Sequence, residues 1–125
     1  MKEALIIGLG GGIGAIFRFL FSRSIHLILG VAFPFGTLIV NIVGSFVMGL
    51  LAVFLIDRVG EWSSVLRAFL LIGLLGGFTT FSTFSYEAVD LWENGEGIKM
   101  ILYLFLSISL CISGTFLGLI IGRKI

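Results

Sequence analysis

Four long stretches of the chain are almost continuously apolar, and short polar interruptions separate them. Ala4 to Phe21 contains one charged residue, Arg18, and Gly36 to Ile56 contains none. Ala68 to Tyr86 lies between Arg67 and Glu87, and Met100 to Gly122 lies between Lys99 and Arg123. A helix needs about 20 apolar residues to cross a hydrocarbon core ~30 Å thick, so each stretch predicts a membrane span. With their flanks the predicted spans run about 4–30, 36–56, 66–92 and 98–122. The predicted fold class is all-α: an integral membrane protein of one transmembrane domain, residues 1–125, with four transmembrane helices.

The connections leave little chain outside the bilayer. Asp57 to Ser64 joins the second and third spans, and Glu93 to Gly97 joins the third and fourth. Trp62 and Trp92 fall at span ends, where indoles sit at the membrane–water boundary. Ser22 to Phe35 remains apolar apart from Arg23 and His26, so the first helix is expected to be overlong or bent and to reach the surface before Pro34. Lys2 ahead of an apolar run has the look of a signal peptide, but Glu3 and the hydrophobicity continuing past Phe21 argue against cleavage.

Composition sharpens this picture. Hydrophobic residues make up 58% and charged residues 12%, with a mean hydropathy of +1.21. That charge content is about half of what soluble domains carry, which excludes a soluble globular domain and a disordered segment. A single cysteine, Cys111, excludes a disulfide scaffold, and a net charge of +1 provides no basic field for nucleic acid. With four spans, Lys2, Arg58, Arg67, Arg123 and Lys124 share one side, against Arg23 and Lys99 on the other, plus Arg18 if it extends that way. The bias is weak, so the positive-inside rule hardly fixes an orientation. Both a chain that inserts either way up, pairing antiparallel, and a plain N-in chain remain open.

Glycine offers one misleading signal. Gly10-Gly11-Gly12-Ile13-Gly14-Ala15 fits a dinucleotide-binding pattern, but that pattern needs a βαβ unit and an acid about 20 residues on. No acid lies between Glu3 and Asp57. Packing is the better reading. Gly8/Gly12, Gly10/Gly14, Gly73/Gly77 and Gly114/Gly118/Gly122 are spaced by four, the spacing that lets helix backbones approach in lipid.

Polar groups inside a membrane face other helices or water. Thr37, Asn41 and Ser45 share one face of the second span, and Asn41 is the only carboxamide within any span. Its amide serves either an interhelical bond or a ligand. Tyr103, Ser107 and Cys111 form a row on the fourth span, with Ser109 and Ser113 as a second pair. These hydroxyls line a wet track or bond back to their own helix. The third span carries Gly76-Gly77-Phe78-Thr79-Thr80-Phe81-Ser82-Thr83-Phe84-Ser85-Tyr86-Glu87. β-Branched threonines after a glycine pair are poor helix formers, so this helix is predicted to break near mid-membrane. A break exposes carbonyls, which are hard ligands for a small cation. Phe81 and Phe84, three apart, point roughly the same way. A ring edge carries positive charge and favours an anion, although a core pair is the commoner use.

With these motifs the chain resembles the Fluc family of small fluoride channels. The resemblance runs over all 125 residues: the Gly-rich first span ending in Arg18, Gly36-Thr37-Leu38-Ile39-Val40-Asn41-Ile42-Val43-Gly44-Ser45-Phe46, and above all Gly76 to Ser85. It implies a dual-topology antiparallel homodimer in the cell inner (plasma) membrane, with two narrow pores that pass fluoride out of the cytoplasm, and no enzymatic activity. Phe81 and Phe84 would be the ring-edge residues, Asn41 a donor near them, and Tyr103 and Ser107 the polar track. Thr80 would belong to the pore and Glu87 to its mouth. The carbonyls of Gly76 and Thr79, doubled by symmetry, would hold a structural sodium ion. Cys111 departs from the serine the resemblance leads one to expect, and a thiol is a weaker donor than a hydroxyl. Arg18 reads as structural, capping carbonyls or pairing near the interface.

Two other classes share the size. A proton-coupled exporter of the small multidrug type needs an acid in its first span, where this chain has Arg18. A small assembly subunit would explain the glycines but not the hydroxyl and phenylalanine rows.

Overall fold

The computed structural model describes residues 1–58, 60 and 63–125, with side chains at 57, 58 and 63 outside that description. The position expected for Trp62 lies outside the described residues. Helix α1 (Lys2–Leu29) is one continuous helix and stops at Gly30, whose φ of 83° lies in the region that glycine favours. Pro34 then precedes α2 (Phe35–Arg58), where a residue lacking an N–H is tolerated because the first turn has no acceptor for it. The third span is built in pieces: α3 (Ser63–Leu66), a π-wound stretch (Arg67–Leu75), α4 (Gly76–Phe78) and α5 (Phe81–Glu93). Gly97–Lys124 forms α6. Among the described residues, four helical spans are long and apolar enough to cross a membrane, so the protein is all-α and multi-pass.

The predicted break lies at Thr79 and Thr80. Both have extended backbone, with φ/ψ of −83°/158° and −152°/120°. Thr80 then caps the next helix, its Oγ1 accepting the Thr83 N–H at 3.2 Å. The π winding just before it was not expected from the sequence.

Packing follows the glycines, as it must where lipid supplies no hydrophobic drive between helices. A Cβ at Gly14 would overlap Leu74 O, and one at Gly10 would overlap Phe69 O, so α1 lies directly on the π stretch. Gly77 meets Gly11 in the same way. Between α2 and α6, Gly49 faces Thr115 O and Gly118 faces Phe46 O. Gly8 and Gly12, equally spaced in sequence, have open space around them. A buried apolar cluster joins Leu38, Phe84, Ala88, Leu91 and Tyr103, and so ties α2, α5 and α6 together. Most remaining large apolar side chains point outward, Leu5, Ile16, Ile28, Ile101 and Phe116 among them. That arrangement suits lipid rather than water. Trp92 is exposed at the end of α5.

Candidate ion path at the helix break

Interrupting a helix leaves backbone groups that must find partners, because water is absent at membrane depth. Asn41 supplies them for Thr80. Its Oδ1 accepts the Thr80 N–H at 2.9 Å, and its Nδ2 donates to Thr80 O at 3.0 Å. A continuous helix would have aimed that N–H at Gly76 O, so the break takes this partner from the Gly76 carbonyl. Thr79 keeps the helical bond, its N–H reaching Leu75 O at 2.9 Å, while Thr79 O accepts Arg18 Nη1 at 3.3 Å. Arg18 therefore caps a carbonyl, and it does so on one of the two expected sodium ligands. Gly44 makes room for this loop, since a Cβ there would meet Thr79 Cγ2.

One turn before Asn41, Thr37 donates to Glu87 Oε1 at 2.8 Å, and Tyr103 donates to Glu87 Oε2 at 2.6 Å. Hydrogen bonds to a carboxylate are among the stronger ones. Glu87 thus joins α2, α5 and α6, and gives the fully buried Tyr103 hydroxyl the partner it needs. The Thr37–Asn41–Ser45 face turns toward α5 and α6 as its spacing requires.

Two spaces adjoin this framework. The first, of about 390 Å³, is lined by Asn41, Ser45, Thr79, Thr80, Phe81, Phe84, Ser107, Cys111 and Thr115. The second, of about 480 Å³, lies on the α1 side and is lined by Arg18, Arg23, His26, Thr37, Thr80, Thr83 and Glu87. Thr80 lines both. The residues expected at the pore are therefore divided. Asn41, Thr80, Phe81, Phe84 and Ser107 surround the first cavity, Glu87 faces the second, and Tyr103 is buried beside Glu87 and lines neither.

The two phenylalanines differ. Phe84 is 7% exposed and Phe81 77%, yet their rings meet at 5.4 Å with 53° between planes. Phe84 also meets Tyr103 at 5.2 Å. Ser107 Oγ is buried and has no hydrogen-bond partner among the described residues. Asn41 uses one of its two amide protons on Thr80 O, and the residue also lines this cavity. Among the described residues, no lysine or arginine lines the first cavity.

Sequence reasoning passed over Thr115 and did not carry Ser45 forward. Thr115 continues the row 103, 107, 111 by four more residues, and its hydroxyl donates to Cys111 O at 3.1 Å and Ser45 O at 3.3 Å. The continued spacing was the signal. Ser109 and Ser113 do not line the cavity.

The family described as "CrcB-like protein, Camphor Resistance (CrcB)" matches residues 5–119. A Coxiella burnetii (strain Dugway 5J108-111) protein named "Fluoride-specific ion channel FluC" is 46% identical over 123 residues, 98% of this chain and 99% of the relative. Relatives of the same name from Shewanella halifaxensis (strain HAW-EB4) and Shewanella woodyi (strain ATCC 51908 / MS32) are 44% and 46% identical over 118 residues, 94% of each chain.

Proposed function

Given that the chain belongs to the CrcB-like family of fluoride ion channels, we propose that it passes fluoride passively out of the cytoplasm through two pores of an antiparallel homodimer. It is a channel rather than an enzyme. The observation that carries the reading is the first cavity. Ser107, whose buried hydroxyl has no partner among the described residues, and Asn41, with one amide proton used on Thr80 O, line the same space as Phe81 and Phe84, and no cationic side chain lines it among the described residues. Fluoride is small and strongly hydrated. Replacing its water takes several weak donors in series, whereas a fixed cation would hold the ion too tightly for conduction. The route we infer enters beside Arg18, Arg23 and Glu87, passes Thr80, and continues along Ser107.

The dimer is supported by the exposure of Phe81, which a second subunit would cover, and by the weak charge bias between the two sides. We place the protein in the inner (plasma) membrane. A sodium ion fits the break in part. One chain offers the carbonyls of Gly76 and Thr79, and a symmetric partner would double them to four hard oxygens, with Arg18 already using one lone pair of Thr79 O. When bound, the ion would cross-link two breaks electrostatically. The residues of this chain hold the carbonyls in place, through Asn41 on Thr80 and Arg18 on Thr79.

Fluoride release from liposomes, read by electrode beside a chloride control, tests the function. The expected result is rapid fluoride release and chloride release slower by about a hundredfold or more, a discrimination worth about 2.7 kcal/mol. Release of neither ion from folded protein would reduce the family relation to shared architecture. Terminal tagging is expected to find both orientations in one membrane. A single orientation would remove the antiparallel dimer.

A further inference from the structure

The lone histidine lies outside both the break and the hydroxyl cavity, yet it holds the helix that serves them. We infer that neutral His26 is a positioning residue for the mouth of the ion path: its Nε2 anchors the first turn of α2 and through it the Thr37–Glu87 bond, so protonation of His26 lowers flux. The inference rests on the fluoride-channel reading for its flux consequence, though not for the coupling itself.

The first N–H groups of a helix lack intrahelical acceptors. In α2 the Phe35 N–H turns back to Phe33 O at 2.8 Å, and the Leu38 N–H is the first to find a carbonyl one turn behind, Pro34 O at 3.2 Å. Between them, the Gly36 N–H donates to His26 Nε2 of α1 at 3.3 Å. Glycine permits this approach, because a Cβ at Gly36 would meet Ser22 Oγ and the His26 ring. The next residue, Thr37, is 4% exposed and holds Glu87 Oε1. One turn on, Asn41 holds Thr80. A shift of the first turn of α2 therefore moves two bonds that set the path.

The bond works in one protonation state only. Nε2 accepts when its lone pair is free and the ring proton sits on Nδ1. In the imidazolium both nitrogens donate, so N–H would face N–H, and the cation would face the positive end of the α2 dipole. The surroundings add to the effect. Arg18 and Arg23 of α1 line the same cleft, and its one lining carboxylate is Glu87 of α5. The charged residues of α2, Asp57 and Arg58, are at its far end. From α6, Lys99 donates to Ala32 O at 3.2 Å in the link between α1 and α2. An imidazolium released from Gly36 is thus drawn to Glu87, where it competes with the Thr37 hydroxyl.

The test uses full-length protein in liposomes, comparing about pH 7.5 with about pH 5.5, values on either side of the ordinary imidazole range. Leak of undissociated acid through protein-free vesicles is subtracted. Wild-type flux is expected to fall about fivefold at the acid value, within the range a lost positioning contact moves a two-state population. His26→Gln presents a carbonyl oxygen that accepts without titrating, and is expected to conduct like wild type near neutrality and to show no such fall. His26→Leu is expected to conduct weakly at both values. A flat wild type, or a His26→Gln variant as acid-sensitive as wild type, overturns the inference and in the second case assigns the sensitivity to another group such as Glu87. Amide exchange over residues 33–40, corrected for its intrinsic pH dependence and measured without fluoride, provides a readout independent of conduction. Faster exchange at the acid value in wild type and not in His26→Gln supports the coupling even if no fluoride passes. Conduction without that change overturns it.

Discussion

Replacing Asn41 with leucine is expected to lower fluoride flux by about a hundredfold or more and to lower the thermal stability of the purified protein at the same time. The reason is that the Asn41 carboxamide answers both backbone polar groups of one residue, accepting from Thr80 N–H and donating to Thr80 O. Thr80 is 9% exposed, and leucine fills similar space without either partner. A buried backbone group left unpaired costs about 1–3 kcal/mol, so two cost roughly 2–6 kcal/mol, a large fraction of a typical folding free energy. The break then has two outcomes. It closes into a continuous helix, or it collapses onto other donors. Either one moves the carbonyls of Gly76 and Thr79, and the Phe81–Phe84 pair that begins immediately after the break. Flux in liposomes and a melting curve in detergent, measured on one preparation, check this. Lost flux with an unchanged melting temperature would assign Asn41 to the ion alone. Neither changing would dismiss both roles.

That double use of Asn41 shows where the sequence is legible and where it is not. Four spans can be read because their length is a property of composition alone, as Gly36 to Ile56 without a charge makes plain. The break can be read because Gly76-Gly77 followed by Thr79-Thr80 combines two local weaknesses of the helix. The partner of Asn41 cannot be read, because it is the backbone of Thr80, and backbone atoms leave no mark in a sequence. The same holds for Arg18, whose acceptor is Thr79 O. Small-residue spacing showed that backbones would approach but not on which face. Gly10 and Gly14 carry the contact with the π stretch, whereas Gly8 and Gly12 meet nothing within 4 Å. The π winding itself is silent. Arg67-Ala68-Phe69-Leu70-Leu71-Ile72-Gly73-Leu74-Leu75 contains no residue that distinguishes it from an ordinary apolar helix. Glu87 was legible as an intramembrane-edge acid, but its bonds to Thr37 and Tyr103 join three helices, and such distant pairings arise only when the chain is folded.

Phe81→Ile and Phe84→Ile are each expected to cut fluoride flux by about a hundredfold, equivalent to about 2.7 kcal/mol of barrier, while differing in what they cost the fold. An anion beside an aromatic edge meets the positive rim of the ring quadrupole. Isoleucine keeps the hydrophobic seal but has no such rim, so dehydrated fluoride loses a contact that water had supplied. Both residues border the cavity that Ser107 also lines, and their rings lie 5.4 Å apart, close enough for one ion to pass from the influence of one to the other. Their burial separates the structural consequences. Phe84 packs with Leu38, Ala88, Leu91 and Tyr103 in the buried cluster, so its replacement is expected to destabilise by about 2 kcal/mol, less than the 3–5 kcal/mol of a full truncation to alanine. Phe81, 77% exposed on the single chain, is expected to leave the stability of the subunit almost unchanged. Phe81→Ile is therefore the cleaner experiment: flux lost from a subunit of wild-type stability points to the ring edge itself. Wild-type flux in both variants would sink the ring-edge role and leave the hydroxyl of Ser107 and the amide of Asn41 to replace the water of the ion unaided.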